Sequence, residues 1–329
     1  MDCTSLSTAG RFHTSPMIES FAQRVYPEYN YRIPVIRRAN GSIEFGDHPL
    51  DFKPTPASLD WFRSLDGTLC CEQAGKIAAE LLGISQSHVS DLLSHGFTSG
   101  AITDARNKPR TTRWLNAMSR DRMDTDVACV QKHVIDYAND SFIDDPAHII
   151  DRRSITLIEL VGQGPLLTHI YQLGLDSGFQ FTRNRSFASI VIFVSNAHPH
   201  VFQHENSHTC VTPHLHVGVR LDTAQIGPLV IPGKSSCFRC AQLHRRDHSP
   251  DWMGVDLQWR RHVNSGQSDS ILTYQTAAYT LLILRHWIDG IAVTNTSWTA
   301  NLPWLHFQAG SAPPHPLCGC QLHQSDVVG

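Results

Sequence analysis

The 329-residue sequence has no apolar run long enough to cross a membrane, no secretory leader and no surplus of positive charge. Its most apolar stretch, Tyr279 to Leu284, is cut short by Arg285 and His286. The opening MDCTSLSTAGRF lacks the apolar segment of a signal peptide. A cytoplasmic chain is expected. With 27 Lys and Arg against 30 Asp and Glu, bulk electrostatics would hold neither nucleic acid nor an anionic membrane. Nine cysteines, an odd number without a secretion signal, fit reduced thiols better than a disulfide framework. What remains, 41% apolar and 17% charged, is the composition of a globular protein with room for two domains.

The most specific feature is a pair of cysteine clusters, Cys237-Phe-Arg-Cys240 and Cys318-Gly-Cys320. Two close pairs complete the four-thiolate tetrahedron that structural zinc prefers. Cys-x-Cys is a tight bite, and Gly319 between the ligands lets the backbone fold back sharply. Free thiols or a redox disulfide are the alternative, but two close pairs favour shared ligation. Such a site leaves no open position for a substrate, so it would support folding.

Residues 1–25 show no periodicity and read as a flexible arm. In residues 26–105, Arg32 to Arg37 alternates as a strand, Asn40-Gly41 is a hairpin turn, and Ile43 to Phe45 is the returning strand. Helices are expected over Ala57 to Leu65, Glu72 to Leu82 and Gln86 to His95, with Ser85 as N-cap of the third. Strands plus a helix-turn-helix of this size make a winged-helix domain. Duplex binding needs cations against phosphate, and from Glu72 to Ala105 there is only Lys76. The other use of such a domain is to take an extended peptide on its sheet edge. The candidate contacts are Arg32, Ile33, Val35, Ile43 and Phe45 on the hairpin and His88, Asp91 and His95 on the third helix. A packing module without a ligand is the plain alternative.

Residues 106–123 read as a linker, and 124–329 as a second domain beginning with a helix over Val127 to Tyr137. Ile155 to Val161, the glycine turn Gly162-Gln-Gly164-Pro165 and the helix from Leu166 form strand, turn and helix, as in a dinucleotide-binding unit. Leu167 occupies the fingerprint's third glycine position. No acidic residue for a ribose follows the second strand, Phe179 to Thr182, which runs into Arg183-Asn-Arg185. The reading is a Rossmann-like α/β scaffold whose nucleotide turn, Gly162 and Gly164, is degenerate, so ATP is not expected as a cofactor. Six histidines lie between His198 and His216. His214-Leu-His216 sits in a strand-like run, which favours ordinary packed histidines over a metal site. Ser268 to Ile288 is the longest helical candidate, apolar at Ile271, Ala278, Leu281, Leu282 and Ile288, and late strands are expected over Val293 to Trp298 and Trp304 to Phe307.

The run Gln225-Ile-Gly-Pro-Leu-Val-Ile-Pro-Gly-Lys-Ser-Ser-Cys-Phe-Arg-Cys240, with Leu243 to Trp252 and His315 to Cys320, resembles the ThiF-like leader-peptide-binding proteins of thiazole/oxazole-modified microcin biosynthesis. The resemblance spans about residues 25 to 322. It implies a winged-helix peptide-recognition domain, a ThiF or ubiquitin-activating type of Rossmann domain and a structural zinc on Cys237, Cys240, Cys318 and Cys320. It also implies a precursor leader peptide and a YcaO-type cyclodehydratase as partners, and it leaves room for a homodimer. The catalytic Arg, Lys and Asp of the adenylating branch have no match here. A binding protein without independent catalysis is therefore expected, with a carboxylate-activating adenylyltransferase as runner-up and a winged-helix regulator third.

Overall fold

Local signals at the helix ends set the first part of the chain. The structure is a computed structural model describing residues 25–46, 48–50, 52–106, 122, 125–127, 129–130, 146–195, 210–261, 268–291, 293–303 and 306–320. They fall in two compact units, Met1–Asp151 and Arg152–Gly329. The N-terminal arm lies outside the described residues, as do nearly all of the linker and most of the expected Val127 helix. Among the described residues, no helix is long and apolar enough to cross a membrane.

In the first unit the strands are β1 (Pro27–Tyr29), β2 (Val35–Arg37), β3 (Ile43–Phe45) and β4 (His48–Pro49). They are followed by α1 (Pro56–Arg63), α2 (Cys71–Leu82), α3 (Gln86–Thr98) and β5 (Ile102–Asp104). Each helix starts where a side chain satisfies a free N–H. Thr55 accepts from the Ser58 N–H at 3.1 Å, the Gln73 side chain from the Cys70 N–H at 3.3 Å, and Ser85 from the His88 N–H at 3.3 Å. The hairpin turn is held by Asn40, whose Oδ1 accepts from the Ser42 N–H at 3.0 Å. β1 pairs with β5, and β2, β3 and β4 form an antiparallel sheet with β3 in the middle. The sequence pattern predicted only a two-stranded hairpin. The third strand is two residues ending in Pro49, too short to show any alternation. The core gathers Ile43, Phe45, Leu59, Phe62, Leu92 and Ile102, with Phe45 stacked on Phe62 at 4.5 Å between centroids.

The second unit runs from α4 (Pro146–Ile155), which crosses the boundary, through β6 (Leu157–Gly162), α5 (Pro165–Asp176), β7 (Gln180–Phe181), β8 (Ile190–Ser195), β9 (His214–Arg220) and β10 (Thr223–Val230). It continues with α6 (Phe238–His248), α7 (Trp252–Arg261), α8 (Ser270–Ile288), β11 (Thr296–Asn301) and β12 (Gln308–Ser311). The seven strands lie in the order β12-β11-β10-β9-β8-β6-β7. β7, β6, β8 and β9 are parallel, and β9 to β12 turn back as an antiparallel meander. One half of the sheet is thus a βαβ scaffold and the other half carries the chain toward the cysteines. α5 and α8 cover one face and share its core with Ile158, Ile192, Leu215 and Ile226.

In α8 the apolar residues Ile271 and Leu282 are exposed at 73% and 46%, while Thr273, Thr276 and Thr280 are buried. Each threonine hydroxyl donates to the carbonyl four residues back, at 2.6, 2.6 and 2.7 Å. That internal bond removes the cost of burying a hydroxyl and lets Thr face the core. The late strands also differ from the expectation: β11 begins three residues after Val293, and β12 begins at Gln308, past the whole Trp304 to Phe307 stretch.

Candidate functional site

β10 delivers the chain to the cysteines through a tight corner. There Ser235 Oγ accepts from the Ile231 N–H at 2.7 Å, and the Ser236 N–H donates to Asn295 Oδ1 at 2.8 Å. Cys237 is the N-cap of α6, so Cys240 lies in its first turn. On the other side, the Cys318 N–H donates to the His315 carbonyl at 2.9 Å. Gly319 has φ 67°, the left-handed conformation that a side chain disfavours. The four sulfurs lie within 4.8 Å of one another. Cys237 Sγ is 3.8 Å from Cys240 and 3.4 Å from Cys318, and Cys240 is 3.4 Å from Cys320. A tetrahedral zinc with bonds of about 2.3 Å needs sulfurs roughly 3.8 Å apart, so this donor set fits such an ion. Contacts of 3.4 Å are also far beyond the ~2.05 Å of a disulfide.

Burial pushes the Cys320 thiol up to about 11, helped by the neighbouring Cys240. Burial also raises Cys318, together with its hydrogen bond to Cys237. At Cys240 burial acts the same way, but the hydrogen bonds offered by the backbone of His315 and Cys237 and by the Cys320 and Cys318 thiols outweigh it and hold the thiol below its ordinary value. A divalent cation bound here would displace the protons of the raised Cys318 and Cys320 thiols.

Sequence reasoning missed what braces this cluster. His315 is buried, its Nε2–H donates to Asp247 at 2.7 Å, and its Nδ1 accepts from the Leu317 N–H at 3.0 Å. The imidazole beside Asp247, and then the Arg246 guanidinium, hold that carboxyl below the usual range. His244 meets the His315 ring edge-on at 4.7 Å and donates to the Pro313 carbonyl at 3.1 Å. α6 thus grips the tail next to the ligands. The only local signal was helical spacing, since His244 and Asp247 are three residues apart on one face.

At the glycine turn, Gly162 has φ 138°, and a Cβ there would sit 2.1 Å from the Val194 carbonyl oxygen. Close packing of β6 on β8 by itself demands this glycine. Gly164, φ 99°, is the N-cap of α5, and Pro165 follows without an N–H to offer a phosphate. Arg185 turns back to pair with Glu159 on β6 at 2.7 Å. Of the six histidines, His198, His200, His204 and His208 lie outside the described residues. His216 is buried between Phe193 and Phe238, each 5.3 Å away, and His214 bonds the Thr212 carbonyl at 2.9 Å.

In the first unit, the Gly46 N–H donates to Pro34 O and the Arg38 N–H to Ser42 O, each at 2.9 Å. With the register Val35 to Phe45 and Arg37 to Ile43, antiparallel geometry aims the backbone N–H and C=O of Val35 and Arg37 away from β3. β2 is an open edge. Ile43 and Phe45, by contrast, are buried, on a strand paired on both sides, so their side chains are core. Arg32 and Ile33 precede the edge, with Ile33 packed against that core. On α3, Phe52 lies 4.7 Å from the His88 ring and 5.8 Å from that of His95, which leaves Asp91 as the openly exposed member of the three.

No family model matches the sequence, and no curated protein matches it. The fold defines a two-unit α/β protein in which small strands and helices precede a Rossmann-like sheet. Solved proteins share it. The chain is similar to the heterocyclase TruD, with a TM-score of 0.57, 14% identity and coverage of 90% of this chain and 42% of TruD. It is also similar to E. coli MccB, at 0.56, 13%, 90% and 96%, and to the microcin C7 biosynthetic enzyme MccB in complex with N-formylated MccA, at 0.56, 13%, 90% and 99%. The chain therefore spans about two fifths of TruD and nearly all of MccB. The resemblance read from the cysteine pairs and the proline-glycine run implied this fold.

Proposed function

We propose that the chain is a binding protein that takes the leader of a ribosomally made precursor peptide as an added strand on β2 and presents it to a YcaO-type modifying enzyme. The observation that carries this reading is the open edge at Val35 and Arg37, whose outward N–H and C=O groups match an extended guest. The small sheet with α1 to α3 is read as a winged helix, with α3, and Asp91 foremost, beside the guest. The shared fold with MccB, which has been solved with N-formylated MccA, supports it. Zinc on Cys237, Cys240, Cys318 and Cys320 is structural in this reading, because four thiolates leave no coordination position for chemistry. Neither nucleic acid nor membrane is a partner, and the site is cytoplasmic. Fluorescence anisotropy with labelled leader peptides encoded near the gene tests the proposal. Saturable binding lost on Val35→Pro supports it, and binding that survives Val35→Pro refutes the edge.

Adenylation of a carboxylate is the second reading, favoured by the Gly162 to Gly164 turn at the α5 N-terminus and by the shared fold with MccB solved with ATP. ATP–pyrophosphate exchange in the presence of peptide separates the two, since a binding protein supports none.

A further inference from the structure

The first unit is acidic, yet its open edge is basic. Between residues 25 and 106 the sequence has seven Lys and Arg against ten Asp and Glu, and three of the seven cations are Arg32, Arg37 and Arg38. No acidic residue falls within that seven-residue window. Glu44 on β3 is buried and already paired with Arg38 at 2.8 Å. Arg38 nevertheless keeps 61% of its side chain exposed. Arg37 is exposed and makes no ion pair among the described residues. The Arg32 guanidinium stands 5.1 Å over the ring of Tyr31, itself 72% exposed. Elsewhere in the unit Lys76 is paired with Glu72 and Arg63 with Asp60.

The order of residues along the edge gives this charge a direction. Side chains of a strand alternate between faces, so a guest on β2 meets Val35 and Arg37 on one face and Ile36 and Arg38 on the other. Val35 is half-buried against the core and Ile36 is 40% exposed. On both faces the guest passes from an apolar neighbour to a cationic one. Directly opposed cross-strand pairs favour unlike charges and disfavour like ones.

We infer that the strand accepted at β2 carries two adjacent apolar residues beside two adjacent acidic ones, the acidic pair lying against Arg37 and Arg38. This deepens the peptide-binding reading and rests on it. Charge then supplies the selectivity that main-chain pairing lacks.

The test uses the full chain and four fluorescein-labelled 12-residue peptides in a Ser/Thr background. Two have the centre Val-Ile-Glu-Glu or its reverse, which covers both strand directions, and two have Lys in place of Glu. The better acidic peptide is expected to bind roughly three- to tenfold tighter than its Lys counterpart at low ionic strength. The gap should shrink at 0.5 M salt. Arg37→Glu should reverse the preference, and Arg37→Gln should reduce it without reversal. Equal binding of acidic and basic peptides that is lost on Val35→Pro keeps the edge and overturns the charge inference. Binding of none of the four, while a natural leader still binds through the edge, also overturns it. Loss of all peptide binding overturns the edge reading and this inference together.

Discussion

The cysteine cluster and the β2 edge are opposite solutions to the same problem of polar groups without partners. At the cluster, four sulfurs from two distant segments converge within 4.8 Å, and a single cation would satisfy all of them. At the edge, the backbone groups of Val35 and Arg37 diverge from the sheet, and only another strand satisfies them in order. A convergent site closes on itself and contributes stability, whereas a divergent one stays open and contributes recognition. The first unit therefore holds the candidate for binding and the second the candidate for permanence.

The sharpest way to break that contrast is Cys318→Ser. If the cluster is the staple of the second unit, metal content falls and that unit loses on the order of 10 kcal/mol, enough to unfold it. Elemental analysis and calorimetry would record lost metal and the disappearance of one melting transition. Unchanged melting of the metal-free protein would move the cluster out of the structural class. Next in size is Val35→Pro, which removes an outward N–H and spares the β2–β3 bonds. Peptide affinity should fall at least about tenfold while metal content and melting stay unchanged.

A pH series sharpens the comparison from the metal side. Cys318 and Cys320 have raised thiol values, so ligation must displace their protons and metal is held less tightly as pH falls. Transfer to a zinc chelator should be faster and more complete at pH 6 than at pH 8. The smallest effect is expected from Asp247→Ala, which removes the half-exposed hydrogen-bond partner of His315. Differential scanning fluorimetry should show a small drop in melting temperature with metal retained, because an exposed contact of this kind contributes little.

Much of the local architecture was legible in the sequence. The caps at Ser85 and the Asn40 turn, the extent of α2 and the start of α3 follow from residue-level preferences and periodicity. The buried side of α8 was not legible because the pattern counts Thr as polar, while Thr276 and Thr280 satisfy themselves on their own helix. β4 was missed because two residues carry no period. The histidines of α3 looked free because nothing in the helix itself announces Phe52.

By itself the sequence determined the composition of the candidate metal centre, since Cys-x-x-Cys and Cys-Gly-Cys state both ligand type and bite. It also determined the glycine turn. Tertiary structure decided the rest. It brought Cys237 to Cys318 across 81 residues, set Asp247 against His315 across 68, and gave the open edge to β2 by placing β3 between two partners. The physical reason is range. Caps, turns and bites are fixed by neighbours within a few bonds, whereas edges, braces and shared ligands depend on which segments the core brings together.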